Sequence, residues 1–349
     1  MHQSNQHRIL TLDGGGIRGI VSVEVLAQIE TLLREETGNP DLLLGDWFDL
    51  IAGTSTGAIT AALLATGHSV AEVQRFYEDE PAELFDPSEL HERLYRKYGA
   101  DYFARRLQEI FGRETIFGSE SIRTLLLLVL RNVTTDSPWF LTNNPKSKFN
   151  DRSLPECNLN LPLWQLVRAS TAAPTYFDPE VIEVGEKTFV FGDGGLTGYS
   201  NPAFKAFLMA TVEPYRLSWP TGTERMLLVS VGTGGRCLAD EDLRPHDMHL
   251  WYHAQTLPFA LMNGSRDRQD LLCRVFGDCL LGDPIDQEVG TLIGAPGPVD
   301  PKLFTYLRYD TRVLGELREI GRALGERRVE AGHFSRFVPA PSVSSSRQP

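Results

Sequence analysis

Residues 47–67, WFDLIAGTSTGAITAALLATG, run from a short apolar segment through a turn flanked by glycines into a longer apolar segment. The first part predicts a buried strand and the last part predicts a helix. Residues 7–16 begin in the same way, with HRILTL followed by Asp13-Gly14-Gly15-Gly16, and a segment with apolar residues at helical spacing comes next. Two strand–turn–helix units in succession predict an α/β fold with a parallel sheet.

Further elements of this kind follow along the chain. Residues 226–231, MLLVSV, form a near-continuous apolar run, as expected of a strand buried on both faces. Residues 121–130 predict a helix, and residues 131–142 predict strands. Residues from about 80 to 120 are rich in Tyr, Phe, Arg and Glu, and we expect them to form an insertion or cap over the core. The polar residues 143–160 predict a surface loop.

The bulk composition limits the classes of function. The 349 residues carry a net charge of −12, which argues against a protein that binds a nucleic-acid polymer through its phosphates, although a local basic patch remains compatible with it. The amino-terminal segment lacks the apolar stretch of a signal peptide, and the longest apolar run, residues 125–130, is too short to span a bilayer. The sequence therefore predicts a cytoplasmic chain, in which the four cysteines are free thiols.

The segment Gly53-Thr54-Ser55-Thr56-Gly57 has the spacing of a nucleophile elbow. A serine on a strained strand-to-helix turn projects its hydroxyl from the carboxyl edge of the sheet. Gly53 and Gly57 allow the strand and the helix to pack closely there. The helix that begins at Thr56 adds amide donors and a favourable dipole where an oxyanion would form. Ser55 is therefore the candidate nucleophile.

A hydroxyl nucleophile needs a base, and histidine is the usual one. None of the eight histidines follows a predicted strand at a glycine turn. Asp193 does, because a hairpin predicted over residues 181–191 leads directly into Asp193-Gly194-Gly195, and partial burial would raise the basicity of that carboxylate. The alternative is that Asp193 only caps a turn. A metal site at His246, His249 and His253 is a further alternative, which no carboxylate pattern supports.

The glycine segment Asp13-Gly14-Gly15-Gly16-Ile17-Arg18-Gly19 is the third candidate element. Consecutive glycines after a strand can direct several backbone N–H groups toward one anion, as an acyl-transfer oxyanion requires. Arg18 would either support this loop or face a lipid phosphate. Gly14-x-Gly16-x-x-Gly19 also fits the dinucleotide fingerprint, but the acidic residues about 20 positions on lie at a helix end and in a loop.

The three segments together resemble the patatin-like phospholipase family. The resemblance rests on DGGGIRG at 13–19, GTSTG at 53–57 and DGG at 193–195, in this order. It extends to ASTAAPTYF at 169–177 and to Asn201-Pro202, and it covers about residues 8 to 235. Their joint occurrence is far more specific than any one of these motifs.

The resemblance implies a three-layer α/β/α fold with a mostly parallel central sheet and a lipid acyl hydrolase of phospholipase A or lysophospholipase type. By this resemblance Ser55 is the nucleophile and Asp193 is the base, in a dyad that works without histidine, metal ion or cofactor. Gly14, Gly15, Gly16 and Arg18 become the oxyanion segment. The expected substrate is a membrane phospholipid at the inner face of the membrane. The runner-up is a nucleotide- or phosphate-binding module that uses the glycine-rich turns.

The overall size and the segment LFTYLRY at 303–309 are also similar to bacterial patatin-like effectors. Some of these act in anti-phage signalling, where a cyclic nucleotide switches the lipase on. That similarity implies a cyclic-nucleotide activator and a homo-oligomer that forms on activation. We expect one hydrolase domain over residues 1–335, including the cap-like segment at about 80–120, and a disordered tail at 336–349.

Overall fold

The computed structural model describes residues 6–80, 93–173, 177–234, 243–311 and 316–338. The helices in these ranges are α1 (Gly19–Thr37), α2 (Leu44–Trp47), α3 (Thr56–Ala65), α4 (Val70–Asp79), α5 (Arg93–Phe111), α6 (Leu163–Ser170), α7 (Ala203–Thr211), α8 (Leu250–Phe276), α9 (Leu317–Arg328) and α10 (Ala331–Phe334). The strands are β1 (His7–Leu12), β2 (Leu50–Thr54), β3 (Leu125–Asn132), β4 (Ser137–Thr142), β5 (Glu180–Val184), β6 (Lys187–Asp193), β7 (Met226–Val231), β8 (Asp278–Leu281) and β9 (Thr305–Tyr309).

These strands form one mixed sheet in the order β5-β6-β3-β2-β1-β7-β9-β8, with β4 paired to β3. The six strands from β3 to β8 in this order are parallel to one another. Strands β4, β5 and β6 join in antiparallel pairs. The predicted α/β class and its mostly parallel sheet are confirmed.

Alternate residues of the central strands belong to two different hydrophobic cores. Leu10 and Leu12 of β1 pack in the larger core, with side chains of α1, α3 and α6 among others. Ile9 packs in the smaller core, with side chains of α7 and Cys273 of α8. Because successive side chains of a strand point to opposite faces, helices cover both faces of the sheet. The expected three-layer arrangement is therefore present.

The predicted helix over residues 121–130 is wrong. Leu125–Asn132 form strand β3, which pairs with β2 on one side and with β4 on the other. Leu126 to Leu130 are completely buried between the two helical layers. A run of apolar residues that is buried on both faces has no alternation, so periodicity alone cannot separate it from a buried helix.

The register on β3 brings two distant segments together. β2 lies along one side of β3, and its last pairing joins Thr54 to Val129. β4 pairs with the carboxyl half of β3 on the other side of that strand. The antiparallel β6 therefore joins β3 on the same side as β2, beyond the last residue of β2. There β6 pairs Asp193 with Leu130. Ser55, which follows Thr54, and Asp193 are therefore positioned by two consecutive residues of β3.

Two segments singled out in the sequence are described only in part. Of the expected insertion at about 80–120, residues 81–92 lie outside the described ranges, and α5 packs its buried Phe103 and Leu107 into the larger core. Phe337, within the segment expected to be a tail, is 2% exposed and packs in the same core.

Across the described residues, no helix contains an apolar stretch long enough to cross a bilayer.

Candidate active site

Ser55 lies between β2 and α3 in a backbone conformation that side chains rarely adopt. Its φ is 55° and its ψ is −127°. The turn is tight on both sides: a Cβ at Gly53 would overlap the carbonyl oxygen of Gly57, and one at Gly57 would overlap the carbonyl oxygen of Leu12. Such strain at a position the surrounding structure fixes is typical of a functional site, and it gives the turn the geometry of a nucleophile elbow.

The hydroxyl of Ser55 donates a hydrogen bond of 2.6 Å from Oγ to Oδ2 of Asp193. The other carboxylate oxygen, Oδ1, accepts from the amide of Gly195 at 2.6 Å. The backbone of Ser55 is fixed as well, because its N–H donates to Oγ of Ser170, which in turn donates to the carbonyl of Val129. The structure thus brings the two residues predicted as nucleophile and base into direct contact.

Burial changes the acidity of the aspartate in this pair. Asp193 is 3% exposed, and burial raises its pKa from 3.8 to about 6, against the opposing effects of the hydrogen bonds from Ser55 and Gly195. A carboxylate of higher pKa is a stronger base. Asp193 therefore combines the position and the basicity that proton transfer from Ser55 requires, and no described histidine hydrogen-bonds to either residue.

The glycine segment lies against the nucleophile. A Cβ on Gly14 would lie 3.1 Å from Cβ of Ser55. The amide of Gly14 donates to the carbonyl of Ser200 at 2.9 Å, and the amide of Gly15 donates to Oγ1 of Thr56 at 3.2 Å. These bonds attach the glycine segment to the segment that contains Ser200 and to Thr56 at the start of α3.

The segment then passes from the glycine turn into a helix. Gly16, with a φ of 59°, begins a short 3-10 helix, Gly16–Arg18, ahead of α1. Nε of Arg18 donates to the carbonyls of Thr233 and Gly234, at 3.0 and 3.2 Å. Of the two roles considered for Arg18, support of the loop is the one that these contacts fit.

A model of one protein family matches residues 10–207, more than half of the chain, and its description is patatin-like phospholipase. The chain belongs to this family. Patatin-like phospholipases are carboxylic ester hydrolases that act on lipids. The matched span of this patatin-like phospholipase includes Ser55, Asp193 and the whole glycine segment, and it ends before β7.

Several curated proteins are similar to this patatin-like phospholipase. A cGAMP-activated phospholipase of Escherichia coli (strain TW11681) is 29% identical over 74% of this chain and 72% of its own length. Another of that description, from Vibrio cholerae, is 32% identical over 58% and 57%. Patatin-17 of Solanum cardiophyllum is 29% identical over 70% and 64%. The chain thus spans less than two thirds of the last two relatives. Among solved structures, VipD from Legionella pneumophila aligns with a TM-score of 0.44 at 14% identity, over 93% of this chain and 66% of VipD.

Behind the glycine segment, a buried arginine binds its first residue, Asp13. Arg308 of β9 donates from Nη1 to Oδ1 of Asp13 at 3.0 Å and from Nη2 to Oδ2 at 2.6 Å. Nη1 also donates to Oγ of Ser230 at 2.7 Å, so this one side chain connects β1, β7 and β9. Burial raises the pKa of Asp13 to about 6, although Arg308 opposes the shift. A buried ion pair therefore fixes the first residue of the glycine segment.

Two more charged residues complete this buried network. Nη2 of Arg308 donates to Oδ2 of Asp310 at 2.6 Å, and Oδ1 of Asp310 accepts from the amide of Gly234. Arg266 of α8 donates to Oγ1 of Thr233 at 3.2 Å and to the carbonyl of Gly234 at 3.1 Å. This network was not predicted from the sequence. Its only signal was an arginine in the apolar run LFTYLRY, where a lone charge needs a buried partner.

The described histidines and cysteines have hydrogen-bond partners and neighbours other than Ser55 and Asp193. His249 accepts at Nδ1 from the amide of Tyr252 at the start of α8. Nε2 of His246 lies 3.5 Å from Oδ1 of Asp247. Within the ranges that the structure covers, no group of three or more His, Cys, Asp and Glu side chains could hold a metal ion. The three cysteines in those ranges are free and buried, and Cys237 lies outside them.

Proposed function

We propose that this patatin-like phospholipase hydrolyses fatty-acyl esters of phospholipids or lysophospholipids, with Ser55 as nucleophile and Asp193 as base. The observation that carries the proposal is the 2.6 Å hydrogen bond from Ser55 Oγ to Asp193 Oδ2, in a buried site at the carboxyl edge of the sheet. A hydroxyl bonded to a base on a strained strand-to-helix turn is the arrangement that nucleophilic acyl transfer requires.

The reaction proceeds in two halves. Oγ of Ser55 attacks the ester carbonyl carbon while its proton passes to Asp193. The tetrahedral intermediate collapses, Asp193 returns the proton to the departing alcohol oxygen, and an acyl-Ser55 ester remains. Asp193 then takes a proton from water as the water oxygen attacks the acyl carbon. The fatty acid leaves, the proton returns to Oγ, and the dyad is regenerated without metal ion or cofactor.

We place the oxyanion between the glycine loop and the start of α3. Gly14 supports this position, because a Cβ there would lie only 3.1 Å from Cβ of Ser55, so the loop passes close to the nucleophile. The amide of Gly16 on one side and the amide of Thr56, the residue after the nucleophile, on the other are the proposed donors. The positive end of the α3 dipole adds to the stabilisation. Arg18 and Gly15 would act by holding the loop in place.

We further propose that the activity is regulated. Ser55 is 8% exposed and Asp193 is 3% exposed, and we propose that access of an ester to this buried pair is the controlled step. Two relatives are described as cGAMP-activated phospholipases. We infer that a cyclic nucleotide opens this site in bacterial anti-phage defence, with assembly into a homo-oligomer, and that residues 1–335 form one domain acting at the inner membrane face in the cytoplasm.

A fluorophosphonate probe tests the nucleophile directly. It phosphonylates an activated serine with loss of fluoride, so we expect the added mass on the peptide that contains Ser55, in the presence of lipid and a cyclic dinucleotide. Ser55→Ala should remain unlabelled, whereas Ser121→Ala, at an exposed position, should label like the wild type. A phosphate-binding module would give no label under any activator and would bind nucleotide in a manner lost on Gly16→Val. That result would overturn the proposal.

The pH dependence of activity should follow Asp193. The base must be ionised, and burial raises its pKa to about 6. We therefore expect kcat/KM to fall about tenfold for each pH unit below 6 and to level off above about pH 7. The measurement is fatty-acid release between pH 4.5 and 8.5, with tryptophan fluorescence confirming that the protein stays folded. A profile that is flat down to pH 4.5 would argue against Asp193 as the base.

A further inference from the structure

An open groove of about 800 Å³ lies in the loop that follows β4, away from the dyad. The loop leaves β4 toward the amino-terminal edge of the sheet, because the amide of Asn143 donates to the carbonyl of Leu126, near the start of β3. Nδ2 of Asn144 then donates to the carbonyl of Tyr215. Ser55 lies at the opposite, carboxyl edge. The groove is therefore separate from the catalytic site.

Four cations line this groove in a chain whose net charge is −12. They are Lys146, Lys148, Arg152 and Arg216. Arg152 donates to the carbonyl of Gly118 at 2.6 Å and Arg216 donates to the carbonyl of Lys146 at 3.1 Å. These bonds orient the two guanidinium groups without neutralising them.

No carboxylate in the described part of the chain lies within ion-pair distance of any of the four cations. The one acidic residue of the lining, Asp151, accepts hydrogen bonds from the amide and hydroxyl of Ser153. Like charges held close together repel one another, so the cluster is best neutralised by an anion from outside.

The floor of the groove is fixed by a buried amide. Asn150 is 2% exposed, and its Nδ2 donates to the carbonyls of Thr142 and Asn144 at 2.7 and 2.6 Å. Its Oδ1 has no hydrogen-bond partner. Beside the groove, the ring of Phe149 is 60% exposed, and Nζ of Lys148 lies 5.4 Å from its centroid. A floor fixed by hydrogen bonds, an exposed aromatic ring and four cations in one groove are the parts of a site for a phosphorylated ligand that carries a planar base.

We propose that this groove binds a phosphorylated ligand of dinucleotide size, with its phosphates on the four cations and a base on Phe149. The volume lies within the range of about 300–1,000 Å³ that small-ligand sites occupy. The phosphate chemistry is shared by a free cyclic dinucleotide and by the head group of an anionic phospholipid. The role of the groove as an activator site rests on the proposed hydrolase function. The binding of the ligand in the groove does not depend on that function.

Binding is measured on the full chain carrying Ser55→Ala, so that no lipid is consumed. Calorimetry with a cyclic GMP–AMP dinucleotide forms one arm, and co-sedimentation with phosphatidylcholine vesicles containing an anionic phosphoinositide forms the other. Lys148→Gln and Arg216→Gln should each weaken binding about tenfold or more, since each removes a charge-assisted hydrogen bond. Lys187→Gln, which removes an exposed lysine on β6, is the matched control and should bind like its parent.

Saturable binding in either arm that both groove variants weaken and the control retains sustains the phosphate site, and the arm that responds identifies the source of the phosphate. Binding of the vesicles alone overturns the placement of a base on Phe149. Failure of both arms, or equal binding by the groove variants and the control, overturns it. Because binding is read without catalysis, this result is distinct from a failure of Ser55 to react with fluorophosphonate, which would overturn only the hydrolase.

Discussion

Replacing Ser55 with alanine is expected to lower fatty-acid release from phospholipid vesicles by about four orders of magnitude or more, measured on activated protein. Asp193→Asn should lower the rate to a similar degree, because the 2.6 Å hydrogen bond makes nucleophile and base one unit. The double variant should lose little more than either single variant. If the loss of activity in the double variant equalled the product of the two single losses, the two side chains would act independently.

Asp193→Asn should also raise the stability of the protein. Burial raises the pKa of Asp193 from 3.8 to about 6, so the folded chain holds this proton more tightly than the unfolded chain does. The wild type therefore loses stability as the pH rises from about 4 through 6. A neutral amide avoids this loss, and we expect a gain of about 2–3 kcal/mol in the free energy of unfolding at pH 8.

Urea unfolding of Asp193→Asn and wild type at pH 8 and pH 4.5 measures this difference, which should be small at the lower pH. A variant that is inactive yet more stable at pH 8 has lost chemistry and not its fold. Equal destabilisation at both pH values would instead mean that the carboxylate is a structural group.

The second large effect is expected for Arg308→Met. The change leaves the buried Asp13 and the partly exposed Asp310 without the guanidinium that both of them contact. Removing one partner of a buried ion pair destabilises proteins by about 3–5 kcal/mol. Because Asp13 begins the glycine loop, we also expect kcat to fall more than KM changes. Urea unfolding and steady-state kinetics at saturating activator measure the two effects.

The matched control is Asp13→Asn combined with Arg308→Met, which removes both charges of the pair. It should recover at least half of the lost stability, because no unpaired carboxylate then remains at position 13. Recovery of stability without recovery of kcat would identify Asp13 and Arg308 as positioning residues for the loop. If Arg308→Met were as stable and as active as the wild type, the buried network would have no role in either property.

The contact between Ser55 and Asp193 could be predicted because its signals are local. Ser55 and Asp193 each lie in a glycine turn that follows a short apolar strand, so each carries its own evidence of lying at the edge of the sheet. β3 could not be recognised, because its run of six apolar residues, five of them completely buried, has no period. Its assignment needed the neighbouring strands, which only the folded chain supplies.

The buried network and the basic groove could not be predicted for a different reason. Asp13 and Arg308 are 295 positions apart, and no pattern near either residue names the other. The four cations of the groove include Arg216, which approaches Lys146 only because the segment after α7 packs against the loop after β4. Pairings of this kind depend on tertiary structure, for which one sequence contains no direct signal.

The register on β3 has a consequence for the chain while it is being made. Ser55 leaves the ribosome 138 residues before its base, and the counter-ion of Asp13 follows much later still. Domains fold from the amino terminus onward during synthesis, at about 5–20 residues per second. For many seconds a nascent chain would therefore carry the nucleophile without the partner that activates it. Because the site is split across the length of the chain, an unfinished chain lacks the complete pair of Ser55 and Asp193.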